Sequence, residues 1–263
     1  MKFAANLSFL FQELDFTDRF AAARKAGFSA VEMLFPYDLP PESLKTLLTD
    51  NELVLALFNL PPGDWQAGDR GMAAISGRQS EFAASVQQAL DRALELGVTR
   101  LHMMAGNADP RDRDARATYL ENLRLAASRA IPHGIEIMIE PINTRDMPGY
   151  FLNDFDLAET LIREAGLPNV RLQFDIYHRQ IMCGDVTRGL ERLMPLIGHV
   201  QVASVPDRTE PGRGELDDLR IFETLHALGY AGYVGCEYRP EAGTAAGLGW
   251  FRQALAALSQ DLG

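Results

Sequence analysis

Strand-like and helix-like segments alternate from one end of the chain to the other, and this alternation limits the fold more than any other feature. Short apolar segments are each followed by a longer segment with helical spacing, and many of the helical segments stop at a glycine. Eight such pairs predict an α/β fold, a closed (β/α)8 or TIM barrel that forms a single domain over residues 1–263. An open doubly wound sheet is the structural alternative, but no Gly-x-Gly-x-x-Gly turn follows the first strand.

The boundaries of the elements follow from the same pattern. The predicted strands are residues 3–8, 30–33, 53–58, 100–104, 135–140, 170–175, 198–203 and 233–237. The predicted helices are residues 15–26, 41–51, 80–96, 111–133, 154–165, 185–196, 217–228 and 245–258.

Four of the predicted strands end on a side chain that carries oxygen. The fifth strand leads into Glu140, and Pro141 stops strand pairing because it has no N–H to donate. The next three strands lead into Asp175, Gln201 and Glu237. The steps between the four positions are 35, 26 and 36 residues, close to the roughly 31 residues that one strand–helix unit takes in a barrel of about 250. We therefore expect all four side chains at the carboxyl end of the barrel, which is the active-site face of this fold.

Three carboxylates and an amide that converge on one point would repel one another unless a cation were bound. Oxygen ligands suit a hard divalent ion, so the pattern predicts a Mg²⁺ or Mn²⁺ site formed by Glu140, Asp175, Gln201 and Glu237. The alternatives are structural: a strand-end ion pair or helix cap for the acids, and a plain hydrogen-bonding role for Gln201.

Further candidate groups lie on loops that face the same end. The long loop after the third strand carries Trp65 and Arg70, among prolines and glycines that would let it close over a substrate. His178 follows the sixth strand and Arg208 follows the seventh. Glu32 ends the second strand, and its structural and functional interpretations are evenly balanced.

Charge and cysteine content exclude some classes of partner. The chain has 36 acidic against 25 basic residues and a net charge of −11, which opposes nucleic acid because that affinity depends on neutralising phosphates. A small anionic substrate needs only one or two arginines and stays compatible with the charge. The two cysteines predict a reducing, cytoplasmic setting, and the chain shows no signal-peptide pattern and no apolar run of the ~18 residues that a membrane span requires.

Short motifs along nearly the whole chain carry a family resemblance. They are FAANLS at 3–8, VE at 31–32, FPY at 35–37, FNLPPGDW at 58–65, IEPIN at 139–143, DIYH at 175–178, GHVQ at 198–201 and GCEY at 235–238. In this order they resemble the hydroxypyruvate isomerase family, within the xylose isomerase-like TIM barrels.

The resemblance implies an activity and roles for residues. Glu140 and Glu237 would be the proton donor and acceptor and would hold a divalent metal with Asp175 and Gln201, and His178 and Arg208 resemble residues that contact the substrate. The first expectation is interconversion of hydroxypyruvate and 2-hydroxy-3-oxopropanoate. The alternative is isomerisation of 2-oxo-tetronate, which is one carbon longer and to which segments 143–146 and 205–208 are somewhat similar.

The chemistry fits the residues. Moving a proton between adjacent carbons passes through an enediol, whose charge a divalent cation stabilises while two carboxylates on opposite faces transfer the proton. We expect Arg70, Arg208 or Arg145 to bind the substrate carboxylate and Glu32 to reach the site.

Other functions remain as alternatives at this stage. They are an apurinic endonuclease of the same superfamily, a non-catalytic barrel that binds sugar acids, and a ketose 3-epimerase, which by resemblance has a histidine where this chain has Gln201. The oligomeric state is left open between a monomer and a homo-oligomer.

Overall fold

Eight parallel strands close into a barrel in the computed structural model, which describes residues 1–260. Each strand pairs with its neighbours in chain order, and the eighth closes the ring against the first. The strands are β1 Lys2–Asn6, β2 Ala30–Met33, β3 Val54–Asn59, β4 Arg100–His102, β5 Glu136–Ile139, β6 Val170–Asp175, β7 Ile197–Val202 and β8 Tyr233–Cys236. The predicted TIM barrel is confirmed.

Helices surround the barrel. They are α1 Asp18–Lys25, α2 Pro41–Asp50, α3 Gln79–Leu96, α4 Arg113–Ala130, α5 Phe155–Ala165, α6 Ile176–Cys183, α7 Val186–Leu193, α8 Asp218–Ala227, α9 Thr244–Gly247 and α10 Gly249–Gln260. Short 3-10 turns at Ile131–His133 and Met194–Leu196 extend α4 and α7. None of the helices within residues 1–260 combines the length and apolarity needed to cross a bilayer.

One helix was absent from the sequence prediction. Residues 176–178 were expected in a loop, whereas they begin α6. The reason is Asp175, whose Oδ1 accepts hydrogen bonds from the backbone N–H groups of Tyr177 (2.7 Å) and His178 (3.4 Å) and so caps the new helix. The helix-cap role weighed for Asp175 is therefore real, and it fixes where this carboxylate and His178 lie.

The barrel interior changes character along its axis. A small apolar cluster of Ala4, Ala30 and Ala56 fills part of the interior. Toward the carboxyl ends of the strands the buried side chains become polar, and Asn6 and Glu32 are among them. Buried polar groups persist only when they bond to one another, so this end of the interior forms a hydrogen-bonded base for whatever lies above it.

Candidate active site

A cavity of about 500 Å³ opens at the carboxyl ends of the strands. Five of the residues predicted from the sequence line it: Arg70, Glu140, His178, Arg208 and Glu237. The loops after β3, β5 and β7 contribute much of the wall, and residues that follow the other strands complete it.

Three buried acids lie together at the base of the cavity: Glu140 and Glu237 line it, and Asp175 lies beside Glu140 without forming part of the wall. Glu140, Asp175 and Glu237 are 5%, 1% and 8% exposed. Oxygens of Glu140 and Asp175 lie, with a ring nitrogen of His178, within 4.8 Å of one another, and this is the group of three metal-capable side chains found among the described residues.

Burial and mutual repulsion make these acids hard to ionise. Burial raises the pKa of Glu140 well above its usual value, and the negative charges of Asp175 and Glu237 raise it further. Burial also raises the pKa of Asp175 to about 6 and that of Glu237 to about 8, against the opposing influence of Arg208. An acid cluster of this kind is stabilised by any cation placed within it.

Arg208 is the cation that the chain itself supplies. Its guanidinium lies between the rings of Phe9 and Tyr177, with its centre 5.1 and 4.9 Å from the two ring centroids. It donates a hydrogen bond of 2.6 Å to Oε1 of Glu237 and lies 3.9 Å from Oδ2 of Asp175. The contacts with the two rings and with the two acids hold Arg208 over the floor of the cavity.

Gln201 lies just beneath the acids. Its Nε2 donates to Glu32 (2.7 Å) and to Oε2 of Glu237 (2.8 Å), and its Oε1 accepts from Gln173 (2.6 Å). Asn6 gives a parallel pair of hydrogen bonds to the same two carboxylates. The two amides therefore fix Oε2 of Glu237 from below while Arg208 fixes Oε1 from above.

Glu32 lies lower than the sequence analysis expected. Its side chain has no exposed surface and is absent from the cavity wall, because His199, Gln201 and Asn6 all donate to its carboxylate. This burial does not fit direct contact with a substrate. The geometry instead favours a supporting role, in which Glu32 orients the amides of Gln201 and Asn6.

Two residues on the wall were not singled out from the sequence. His102 ends β4 with Nε2 3.6 Å from Oε2 of Glu140, and this nitrogen has no hydrogen-bond partner within residues 1–260. Burial lowers the pKa of His102 to about 3, so the ring is neutral. The signal was present, since His102 ends a strand as Glu140 and Asp175 do. Gln173, on β6 and beside Gln201, also lines the cavity.

His178 faces the acids from the start of α6. Its Nε2 lies 3.6 Å from Oδ2 of Asp175, and its Nδ1 lies 2.7 Å from Nδ2 of Asn143. Burial lowers the pKa of His178 well below its usual value, and the charge of Arg208 lowers it further. The ring is therefore neutral at physiological pH.

The candidate arginines divide into those that line the cavity and those that lie outside it. Arg70 stacks on Trp65 with its guanidinium carbon 3.9 Å from the ring centroid, and its Nη1 donates to the backbone oxygens of Trp65 and Asp69. Arg145, the third candidate, is exposed and lies outside the cavity wall. Arg239, which follows β8, also lines the wall.

The donor set fits a divalent cation. Three buried carboxylates share one neutralising arginine, and their pKa values are raised first by burial and then by neighbouring negative charges, both of which a bound cation would offset. Gln201 fits less simply, because its amide nitrogen, and not its oxygen, faces Glu237. Coordination by Gln201 would require its Oε1 to leave Gln173 and turn toward the acids.

The comparison with protein families agrees with the fold. The family model for the xylose isomerase-like TIM barrel matches residues 20–254. The chain belongs to this family. The predicted resemblance to xylose isomerase-like barrels is thus confirmed over most of the sequence.

Curated relatives within the family are similar over nearly their whole length. A 2-oxo-tetronate isomerase from Cupriavidus necator is 52% identical over 257 residues, covering 97% of this chain and 98% of the relative. The hydroxypyruvate isomerase of Escherichia coli K12 is 43% identical over 252 residues, covering 95% and 98%. These relatives confirm the prediction that the chain is an isomerase of the hydroxypyruvate isomerase type.

A solved structure is similar as well. The crystal structure of a protein described as AP endonuclease, family 2, from Brucella melitensis superimposes with a TM-score of 0.94 at 49% identity, covering 96% of this chain and 98% of that one. The word nuclease in its description refers to that protein, and for this chain the similarity shows the shared barrel fold.

Proposed function

We propose that this protein is a metal-dependent isomerase that moves a proton between adjacent carbons of a small hydroxy-keto acid. The observation that carries the proposal is the pair Glu140 and Glu237. Both lie on one cavity with raised pKa values, and they come from the ends of β5 and β8, which two other strands separate in the barrel. Two carboxylates placed apart around one substrate can remove a proton from one carbon and return it to the next.

The metal in this proposal is Mg²⁺ or Mn²⁺, held by Glu140, Asp175 and Glu237 with Gln201 as the fourth ligand. When bound, such an ion supplies electrostatic stabilisation of the two neighbouring oxygens of the enediol. We assign Arg208 to the substrate, because it lines the cavity beside Glu237 and Asp175.

The substrate carboxylate needs a cation away from the acids. Arg70 meets this condition, since stacking on Trp65 holds its guanidinium at the cavity wall and neither ring nor backbone contact neutralises its charge. His178 presents a neutral ring toward the floor and would bind a substrate oxygen there. Phe35 packs against Trp65 and helps to hold this wall in place.

The length of the substrate is the finer question. The sequence analysis placed hydroxypyruvate first and 2-oxo-tetronate second. The relative that is 52% identical is a 2-oxo-tetronate isomerase, against 43% for the hydroxypyruvate isomerase. We therefore now favour 2-oxo-tetronate as the substrate of this chain, with hydroxypyruvate as the second candidate.

Nuclease chemistry is poorly supported in this chain. The net charge of −11 opposes a polyanionic substrate. By resemblance, the apurinic endonucleases of this superfamily use a histidine-rich site, whereas the metal-capable group within residues 1–260 contains a single histidine. Gln201 likewise departs from the histidine expected of a ketose 3-epimerase.

The deciding experiment assays 2-oxo-tetronate and hydroxypyruvate in parallel with added Mg²⁺ or Mn²⁺ and compares kcat/KM. Glu140→Gln and Glu237→Gln should each lower kcat by about 10²–10⁴-fold with the better substrate, and should suppress exchange of its C–H proton with D₂O. Glu136→Gln is the matched control, because Glu136 lies at the opposite end of β5 and pairs with Arg100. Near-wild-type turnover in the Glu140 or Glu237 variant would remove that residue from proton transfer, and no turnover of either acid by the wild type would refute the function.

We also propose a cytoplasmic location, since Cys183 and Cys236 are both free. The partner we propose is a small molecule, and neither a nucleic acid nor a membrane. Light scattering of the purified protein would decide between monomer and homo-oligomer.

A further inference from the structure

The side-chain amide of Asn143 has only one orientation that satisfies its neighbours. Its Oδ1 accepts hydrogen bonds from the backbone N–H groups of Arg145 (3.0 Å) and Asp146 (2.9 Å). Its Nδ2 faces the carboxylate of Asp146 at 3.3 Å, which can only accept. The oxygen and the nitrogen of this amide are therefore assigned by their partners, and Asn143 is fully buried.

This orientation decides which nitrogen of His178 carries the proton. Nδ2 of Asn143 lies 2.7 Å from Nδ1 of His178, and the backbone N–H of Asn143 points at the same atom from 3.4 Å. Two N–H donors converge on Nδ1, so Nδ1 must offer a lone pair, and a neutral imidazole then carries its proton on Nε2. Nε2 is the atom that lies 3.6 Å from Oδ2 of Asp175.

We propose that Asn143 is a positioning residue that holds His178 in the neutral tautomer with the proton on Nε2, so that His178 donates a hydrogen bond into the cavity and does not ligate the metal. The donor role toward a substrate oxygen rests on the proposed function, whereas the tautomer stands without it.

The proposal settles the part that His178 plays in the acid cluster. Proximity alone groups the ring with Glu140 and Asp175 as a third metal ligand. A ligand nitrogen must offer a lone pair, and the nitrogen that faces Asp175 has a proton in its place. The lone pair of the ring points away from the acids, toward Asn143. The acids are thus left to bind the metal without His178, and His178 is left to bind an oxygen.

The tautomer can be measured directly in the full-length protein. Long-range ¹H–¹⁵N spectra of protein labelled with ¹⁵N-histidine distinguish protonated from unprotonated ring nitrogens, and the spectrum of a His178→Gln variant identifies the signals of His178 among the five histidines. We expect an unprotonated Nδ1 and a protonated Nε2. Addition of Mg²⁺ should leave the Nε2 proton in place. A protonated Nδ1 in the wild type, or loss of the Nε2 proton when Mg²⁺ is added, would overturn the proposal.

A substitution tests whether Asn143 is the cause. Asn143→Asp replaces the donor at Nδ1 by an acceptor, so Nδ1 should become protonated and its signal should move into the protonated range. Thr144→Asp is the matched control, because it adds the same charge at the adjacent, exposed position, and its His178 signals should match the wild type.

Further variants and readouts keep the result decisive. An unchanged Nδ1 signal in folded Asn143→Asp would refute the positioning role. If this variant fails to fold, Asn143→Ala replaces it, and there the Nδ1 signal should shift toward an average of the two tautomers. In the isomerase assay Asn143→Asp should lower kcat about tenfold or more, whereas Thr144→Asp should not. Loss of activity with an unchanged tautomer would mean a merely structural role for Asn143.

Discussion

At the scale of single residues, Arg70 separates substrate binding from chemistry. Its guanidinium lies on the cavity wall on the face of Trp65, and it makes no contact with Glu140 or Glu237. Arg70→Ala should therefore raise KM by about tenfold or more while changing kcat little, because a charge-assisted hydrogen bond to the substrate carboxylate is worth roughly 1.5–3 kcal/mol. Steady-state kinetics with the better substrate measures both constants.

The matched control is Arg145→Ala, since Arg145 is an exposed arginine outside the cavity wall. Its KM should stay at the wild-type value. An unchanged KM in Arg70→Ala would return Arg70 to the role of a loop residue stacked on Trp65, and would turn attention to Arg239, which also lines the wall.

Single residues also mark what the sequence could and could not predict about the site. The positions of Glu140 and Asp175 were predictable, because a carboxylate at the end of a buried strand needs a partner at that end of the barrel. The role of Asn143 was not predictable, because it depends on a turn of the loop that brings the side-chain amide into contact with His178, 35 positions later in the chain. The sequence left Glu32 evenly balanced between a structural and a functional role, because a strand-end acid can point into the barrel as easily as into the cavity.

At the scale of elements, β2 and β8 depend on one another through a single glycine. Gly235 on β8 has no unusual backbone angle, but a Cβ there would overlap the carboxylate of Glu32 on β2. Gly235→Ala should displace Glu32, and with it the hydrogen bonds that orient Gln201. We expect a loss of about 1–3 kcal/mol in the free energy of unfolding from overpacking, together with weaker Mg²⁺ binding.

Gly249→Ala controls for the glycine-to-alanine change itself. Gly249 is the first residue of α10, and a Cβ there meets open space. Denaturant unfolding should find this variant within about 0.5 kcal/mol of the wild type. If Gly235→Ala is equally harmless and binds Mg²⁺ normally in calorimetry, Glu32 does not support the acids.

Most elements were predictable because hydrophobic period and glycine stops are local features. The exception was α6, which was missed because one side chain, that of Asp175, has two roles. The sequence pattern predicts that Asp175 ends a strand, but the same carboxylate also caps the helix that follows it. The sequence could not show that one oxygen of Asp175 is used by the backbone while the other faces His178.

At the scale of the whole molecule, the two ends of the barrel differ in the balance of their charged side chains. At the amino-terminal end Glu136 lies 3.4 Å from Arg100 and 3.9 Å from Arg171, so that two arginines neutralise one acid. At the carboxyl end Arg208 forms ion pairs with Asp146, Asp175 and Glu237, and the buried Glu140 lies in the same cluster, which leaves a surplus of negative charge. Electrostatic cost is thus concentrated where a ligand can offset it, in keeping with the division of barrels into a stability face and an active-site face.

One buried acid outside the cavity also carries an electrostatic cost. Asp218, the first residue of α8, is 4% exposed; its Oδ2 accepts from the N–H of Gly212, and its Oδ1 has no hydrogen-bond partner within the described part of the chain. Burial raises its pKa from 3.8 to about 6. A raised pKa means that the folded protein holds this proton more tightly than the unfolded chain, so stability from this group is full below about pH 4 and is lost as the pH rises through about 6.

Asp218→Asn keeps an acceptor for Gly212 and removes the charge. The free energy of unfolding at pH 7.5 should therefore rise by about 1–3 kcal/mol, whereas at pH 4 the variant and the wild type should be alike. Asp217→Asn, the same change at the exposed neighbouring position, should stay within about 0.5 kcal/mol of the wild type at both pH values because asparagine also caps helices well. Urea unfolding at the two pH values measures all three proteins. A loss of stability in Asp218→Asn that is equal at both pH values would mean that the carboxylate anchors the loop at Gly212 and that its burial carries no electrostatic cost.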